Sequence, residues 1–170
     1  MKISKYLHSC ILLEKQGTKL LFDPGTYSFM DGTVKPENFT NISAVFITHN
    51  HQDHYDPAAL KTIVGNNPGV QIFSNPMTGG LLTEIGLPVE VFHSGEKKIG
   101  PYTVRAIPAA HEKTLLYPIP ENTAYLVDGV FLHPGDSFNE SMYGLKPTVL
   151  AFPIYAPWMT HSMALEFARG

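Results

Sequence analysis

The stretch "FITHNHQDHYDP", residues 46 to 57, places His49, His51, Asp53, His54 and Asp56 within eight positions. Imidazole and carboxylate are good ligands for divalent metals, so the stretch reads as a metal site. His49 and His51 stand two apart, and in an extended segment both side chains leave the same face of the chain. They can therefore share one metal. Asp53 and His54 follow after the chain turns and can face a second metal beside the first. A chance H-x-H-x-D-H directly after an apolar run is improbable, so we read a site here rather than a solvated polar loop.

Four more residues have suitable chemistry: His111 after "IPAA", Asp136 in "HPGDS", Asp23 in "FDP" and His8 in "LHS". Each also has a plain structural reading. His111 could end a strand at the surface, and Asp136 could cap a turn after Gly135. Asp23 could be a turn residue before Pro24, and His8 a core or rim histidine. His93 and His133 read as structural or exposed. Cys10 reads as a small core residue. Glu112 adjoins His111, and Tyr155 and Trp158 read as core aromatics that could instead line a pocket.

These groups need elements to position them. "SAVFITH" is a continuous apolar run that stops at the histidines, which is how a buried strand delivers a polar loop. "DPAALKTIVG" predicts a short helix with Asp56 as N-cap, Pro57 at its first position and Gly65 as its stop. Two strands joined at Lys15-Gln16-Gly17 are predicted for "YLHSCILLEKQGTKLLFDPG", and a hairpin turning at Asp128-Gly129 for "TAYLVDGVFLHPGDS". "VQIFSN", "VEVF", "YTVRAIPAAHE" and "TVLAFPIY" read as strands. "MTGGLLTEIG" reads as a weak helix and "MTHSMALEFA" as an amphipathic one. Many strands, few helices and polar residues at strand ends predict a mixed α/β sandwich with its chemistry on loops along one edge. With 170 residues and no linker-like tract, one domain spanning 1–170 is expected.

Composition narrows the function classes. The chain is 44% hydrophobic and 16% charged, with a formal net charge of −3 and eight histidines. Its Lys and Arg residues form no basic stripe, so a nucleic-acid surface is not expected. The apolar runs are too short for a membrane span. One cysteine allows no internal disulfide and fits a reducing compartment, so a cytoplasmic location is expected.

The histidine stretch resembles the H-x-H-x-D-H motif of the metallo-β-lactamase superfamily. The wider chain is similar to its metal-dependent hydrolases, in the subfamily that includes L-ascorbate-6-phosphate lactonase. "LHSCILLE", "KLLFDPG", "ITHNHQDHYD", "AAHE" and "HPGDS" carry the resemblance, in that order. It implies an αββα four-layer sandwich. It also implies that His49, His51 and His111 form a first metal site and that Asp53 and His54 belong to a second. Asp136 would bridge the two, Asp23 would stand behind the ligands, and His8 would lie near the active site. The implied cofactors are divalent ions, Zn²⁺ first, with Mn²⁺ or Fe²⁺ as alternatives.

Two such metals, roughly 3.5–4 Å apart, would share a water whose pKa falls towards about 7. The resulting metal-bound hydroxide would attack a carbonyl carbon or phosphorus, with Asp53 orienting it as the catalytic carboxylate. The expected reaction is hydrolysis of a small anionic ester, phosphodiester or lactone. The family pattern includes one more histidine, on a further strand after the last helix, and His161 lies within that helix instead. The chain therefore reads as lacking the family's C-terminal segment, with an incomplete second site and a tendency to form homo-oligomers. This departure keeps a second reading open, a metal-binding but catalytically silent sensor or assembly subunit.

Overall fold

The computed structural model describes residues 1–114 and 118–170. Its first sheet contains β1 (Lys2–Lys5), β2 (Ile11–Lys15), β3 (Thr18–Phe22) and β4 (Ala44–Ile47). After α1 (Pro57–Asn66) come β5 (Gln71–Ser74), α2 (Pro76–Glu84) and β6 (Val89–Val91). The six strands lie in the order β1-β2-β3-β4-β5-β6, antiparallel up to β3 and parallel from there on. The second sheet holds β7 (Gly95–Ile99), β8 (Tyr102–Pro108), β9 (Thr123–Val127), β10 (Phe131–His133) and β11 (Val149–Leu150). Its order is β11-β10-β9-β8-β7, and α3 (His161–Arg169) follows.

Alternation along the strands builds the layers. Leu20, Phe22, Ala44, Phe46 and Phe73 point into one cluster with Val104, Tyr125, Val127 and Phe131 of the other sheet. Leu21, Val45, Ile47 and Ile72 point the other way, onto Leu60, Ile63 and Leu82 of α1 and α2. Ala124, Leu126 and Leu132 leave the far side of the second sheet and meet Ala164 and Phe167 of α3. Helices, sheet, sheet and helix thus make the αββα sandwich. Strand β4 is buried on both faces, which explains its unbroken apolar run.

Both hairpin turns lie where the sequence places them: Gln16 and Gly17, like Asp128 and Gly129, adopt positive φ. Asp56 caps α1, accepting from the Ala58 and Ala59 N–H groups at 2.9 and 3.0 Å. Gly65 does not stop this helix, which runs to Asn66. The stop is Asn67, whose side chain bonds Ile42, Phe39 and Ile63, with Pro68 behind it. The strand expected over "TVLAFPIY" shrinks to Val149–Leu150 and is only half-buried. It lies at the sheet edge, and Pro153 brings no N–H to extend the ladder. Strands β1 and β7 have no counterpart in the sequence reading.

Candidate metal centre

Parallel β3 and β4 end side by side, delivering Asp23 and the segment from Thr48 onwards to one edge. The Asp23 N–H donates to the Phe46 carbonyl at 3.0 Å. Beyond β4 the chain turns tightly: the N–H groups of His54 and Tyr55 both donate to the His51 carbonyl, at 2.9 and 2.8 Å. Gly25 packs directly on this turn. A Cβ there would stand 2.2 Å from the Asp53 carbonyl carbon and oxygen, so no larger residue fits. Across the edge, Asn122 Nδ2 donates to the Ala109 carbonyl at 3.0 Å and the Pro134 carbonyl at 2.9 Å. It thereby ties the loop of His111 to the loop of Asp136. Gly135, at φ 63°, clears room for Asn122, because a Cβ would meet its Oδ1 at 2.0 Å. Glu112 adds a second tie: its N–H donates to the Asp136 carbonyl at 2.9 Å, and its Oε1 accepts from the Phe138 N–H at 3.0 Å.

Two groups of ligand atoms result. His49, His51, His111 and Asp136 form one, and Asp53, His54 and Asp136 the other, with all atoms of each group within 4.8 Å. The rings of His49, His51 and His111 lie pairwise 4.8 Å apart, each pair edge to face. Asp136 belongs to both groups. Its Oδ1 is 3.2 Å from His54 Nε2, and its Oδ2 is 3.6 Å from His111 Nε2.

The surrounding hydrogen bonds decide which ring nitrogen faces inward. His111 Nδ1 lies 2.6 Å from the Glu112 carbonyl, which can only accept. His54 Nδ1 donates to Asp23 Oδ2 at 2.7 Å. The Thr48 hydroxyl donates to the same carboxylate oxygen at 2.7 Å, so it accepts from His49 Nδ1 at 3.1 Å. Each of these rings thus spends its Nδ1 on a fixed partner and aims Nε2 at the centre, the arrangement of metal-ligating histidines. His49 Nε2 and His111 Nε2 are buried with no hydrogen-bond partner among the described residues. Such orphaned acceptors are costly unless something binds them, and a divalent cation is what the donor set fits.

Electrostatics differ around the centre. Burial, reinforced by the other imidazoles, pushes His49 well below the ordinary histidine range, and burial also lowers His111. Both are neutral at pH 7. Burial opposes charge on His54 as well, but Asp136 and Asp23 outweigh it and hold His54 well above the usual value. Burial would raise Asp53, yet its hydrogen bond and charge interaction with His54 bring it down to about 2. Asp136 is lowered for the same reason.

The structure brings His49, His51, Asp53, His54, His111 and Asp136 together and sets Asp23 directly behind them. Asp23 is buried and accepts from the Thr48 N–H, the Thr48 hydroxyl and His54, each at 2.7 Å. It is far more than a turn residue. His8 is not in either group; it is exposed at φ 50°, with its ring against Tyr27 at 5.0 Å. His161 is exposed at the start of α3 and also lies outside both groups. Cys10 is buried in the core between β2 and the helices.

Sequence reasoning gave no role at the centre to Thr48, Asn122 or His133, and offered Trp158 only a place in a pocket lining. Thr48 links Asp23 to His49. His133 is buried, accepting at Nδ1 from the Gly135 N–H at 3.1 Å and placing Nε2 3.4 Å from Asp23 Oδ2. Trp158 donates to Asp136 Oδ2 at 3.3 Å. For His133 the available signal was its place two residues before Gly135; Trp158 stands among the aromatics that the sequence allows to line a pocket, but its bond to Asp136 is not legible there.

A family model described as a beta-lactamase superfamily domain matches residues 2–169. Protein Rv0786c of Mycobacterium tuberculosis is 36% identical over an alignment covering 100% of this chain and 79% of that protein. A UPF0173 metal-dependent hydrolase of Carboxydothermus hydrogenoformans is 25% identical, over 65% of this chain and 48% of its own length. Igni18, a metallo hydrolase from the archaeon Ignicoccus hospitalis, has the same fold, with a TM-score of 0.70 at 23% identity, covering 97% of this chain and 76% of its own. Matched almost from end to end, and carrying the paired ligand groups described above, the chain belongs to the beta-lactamase superfamily, in the company of its metal-dependent hydrolases.

Proposed function

We propose that the protein is a metal-dependent hydrolase acting on a small anionic ester, phosphodiester or lactone. The carrying observation is one carboxylate, Asp136, shared by two ligand groups, with buried imidazole nitrogens left open towards the first. His49, His51 and His111 would hold one ion and Asp53 and His54 another, with Asp136 serving both. Ions held there supply Lewis acidity and a nucleophile at neutral pH.

The remaining work falls to the chain itself. Asp53, held to about 2 by His54, is ionised and weakly basic at neutral pH. It suits accepting a hydrogen bond and orienting the nucleophile better than storing a proton. Asp23 receives the Nδ1 proton of His54 and so fixes the ring's orientation. Three imidazoles around one position favour Zn²⁺ there, with Mn²⁺ or Fe²⁺ as alternatives.

The same reading includes a cytoplasmic setting, in keeping with the single buried cysteine. Among the described residues no helix is long and apolar enough to cross a membrane. It also includes self-association: the second sheet ends on two-residue β11, and Ile154 and Tyr155 beyond it are 79% and 93% exposed.

The test is a panel of phosphodiesters, phosphomonoesters and lactones, run on chelator-stripped protein with and without added Zn²⁺ or Mn²⁺. Hydrolysis that requires the metal and disappears in Asp53→Asn supports the proposal. Tight metal uptake with no turnover on any of them would favour the silent metal-binding protein.

A further inference from the structure

Trp158 is the one tryptophan of the chain. Its indole Nε1–H donates to Asp136 Oδ2 at 3.3 Å. That oxygen is the one on the side of His111, while Oδ1 faces His54. The ring has a built seat. Phe138 meets it edge to face at 5.3 Å, and His111 does so at 6.3 Å. Phe138 in turn stacks on Phe167 of α3 at 5.0 Å. Just after Trp158, the Thr160 hydroxyl accepts the Met163 N–H at 3.3 Å and starts α3. The indole thus packs on Phe138 of the loop that carries Asp136, and Phe138 in turn packs on the helix at the outer face of the second sheet.

We infer that Trp158 is a positioning residue of the metal centre, whose indole N–H sets the orientation of Asp136 so that each carboxylate oxygen serves a different ligand group. This inference rests on the proposed function. The torsion about the carboxylate of an aspartate is broad, so packing alone selects no single orientation. The carboxylate offers about four lone-pair sites. The indole occupies one of those on Oδ2 and leaves that oxygen's remaining lone pair for the first group. Oδ1 is then held towards His54. A phenyl ring at this position would keep the apolar contacts with Phe138 and lose the selection. Partners of this kind behind a metal ligand commonly contribute about 10–100-fold in metal affinity. The contact also sets a lone fluorophore against the centre.

The experiment titrates chelator-stripped full chain with Zn²⁺ in competition with a chromophoric chelator. It compares the parent, Trp158→Phe, and a chain carrying at position 158 the benzothienyl isostere of tryptophan, in which sulfur replaces the indole N–H. The parent is expected to take up zinc and its tryptophan emission to change as it saturates. Both altered chains are expected to bind zinc about tenfold more weakly or worse, with unchanged circular dichroism. Should Trp158→Phe fail to fold, the isostere decides, because it keeps the packing. Parent affinity in the isostere, or emission unmoved at zinc saturation, overturns the inference while leaving the metal centre standing. Absence of uptake by the parent of Zn²⁺, and of Mn²⁺ and Fe²⁺ titrated in its place, overturns the functional reading itself, and this inference with it.

Discussion

Around the first ligand group, three imidazoles face one another; around the second, His54 is enclosed by the carboxylates of Asp23, Asp53 and Asp136. The contrast has a chemical consequence. His49 and His111 are kept neutral by burial, and their Nε2 atoms have no hydrogen-bond partner among the described residues. A cation can enter there without displacing a proton from either ring. His54 instead holds its proton strongly, because burial is outweighed by Asp136 and Asp23. A cation entering the second group must expel that proton. The two halves of one centre therefore differ in how much acid competes with metal, although they share Asp136.

The change expected to do most damage breaks both halves together. Gly25→Ala drives a Cβ to 2.2 Å from the backbone of Asp53, on the turn that supplies residues to both groups. We expect a loss of about 3 kcal/mol or more, roughly 6–12 °C in Tm, together with all metal binding. A thermal scan checks this; a Tm within about 2 °C of the parent would mean the turn can shift freely.

Asp53→Asn separates the halves. It removes a charge from the second group and none from the first. Hydrolysis should fall on the order of 100-fold or more, with the first equivalent of metal retained and the fold intact. Unfolding where the parent stays folded would instead mark Asp53 as structural.

Asp23→Asn acts one step further back. The amide cannot accept from Thr48 and His54 as the carboxylate does, so affinity at the second group should drop about 10–100-fold. The first group feels Asp23 only through Thr48 and should change less. Equal loss at both, measured by chelator competition, would erase the distinction between them.

The gentlest probe is pH. Below the raised pKa of His54 the proton occupies the site, so affinity at the second group should rise by about tenfold per pH unit and flatten above that pKa. Between pH 7 and 8 the first group should be nearly insensitive, since burial has already removed the protons of His49 and His111. Two isotherms with the same pH slope would contradict this.

How much of this centre could be read from the sequence follows from the range of each interaction. The H-x-H-x-D-H turn is local, and so are the Asp56 cap and the Gln16-Gly17 and Asp128-Gly129 turns; all are visible as short patterns. The αββα layering was implied by family resemblance, and the strand alternation that builds it can be followed in the apolar residues. Asp23 was ambiguous because its partner His54 lies 31 positions on, and nothing local separates a turn aspartate from a buried hub. His133 is held by the Ser9 carbonyl across 124 positions, and Trp158 reaches Asp136 across 22. Such contacts come from strands and loops far apart in the chain meeting in the fold, not from spacing. The strand at β11 is expected from its apolar run, but its two-residue length and half-burial are not legible there, because an apolar run looks alike whether it is central or at an edge.

The most direct test is a calorimetric titration of chelator-stripped protein with Zn²⁺ at pH 7, repeated in buffers of different ionisation enthalpy. Two unequal steps are expected: a tighter first equivalent that releases few protons, and a weaker second that releases about one from His54. Loss of the second step alone in Asp53→Asn would assign the order. A single step with proton release equal for both equivalents, or no binding at all, would contradict the difference between the two groups.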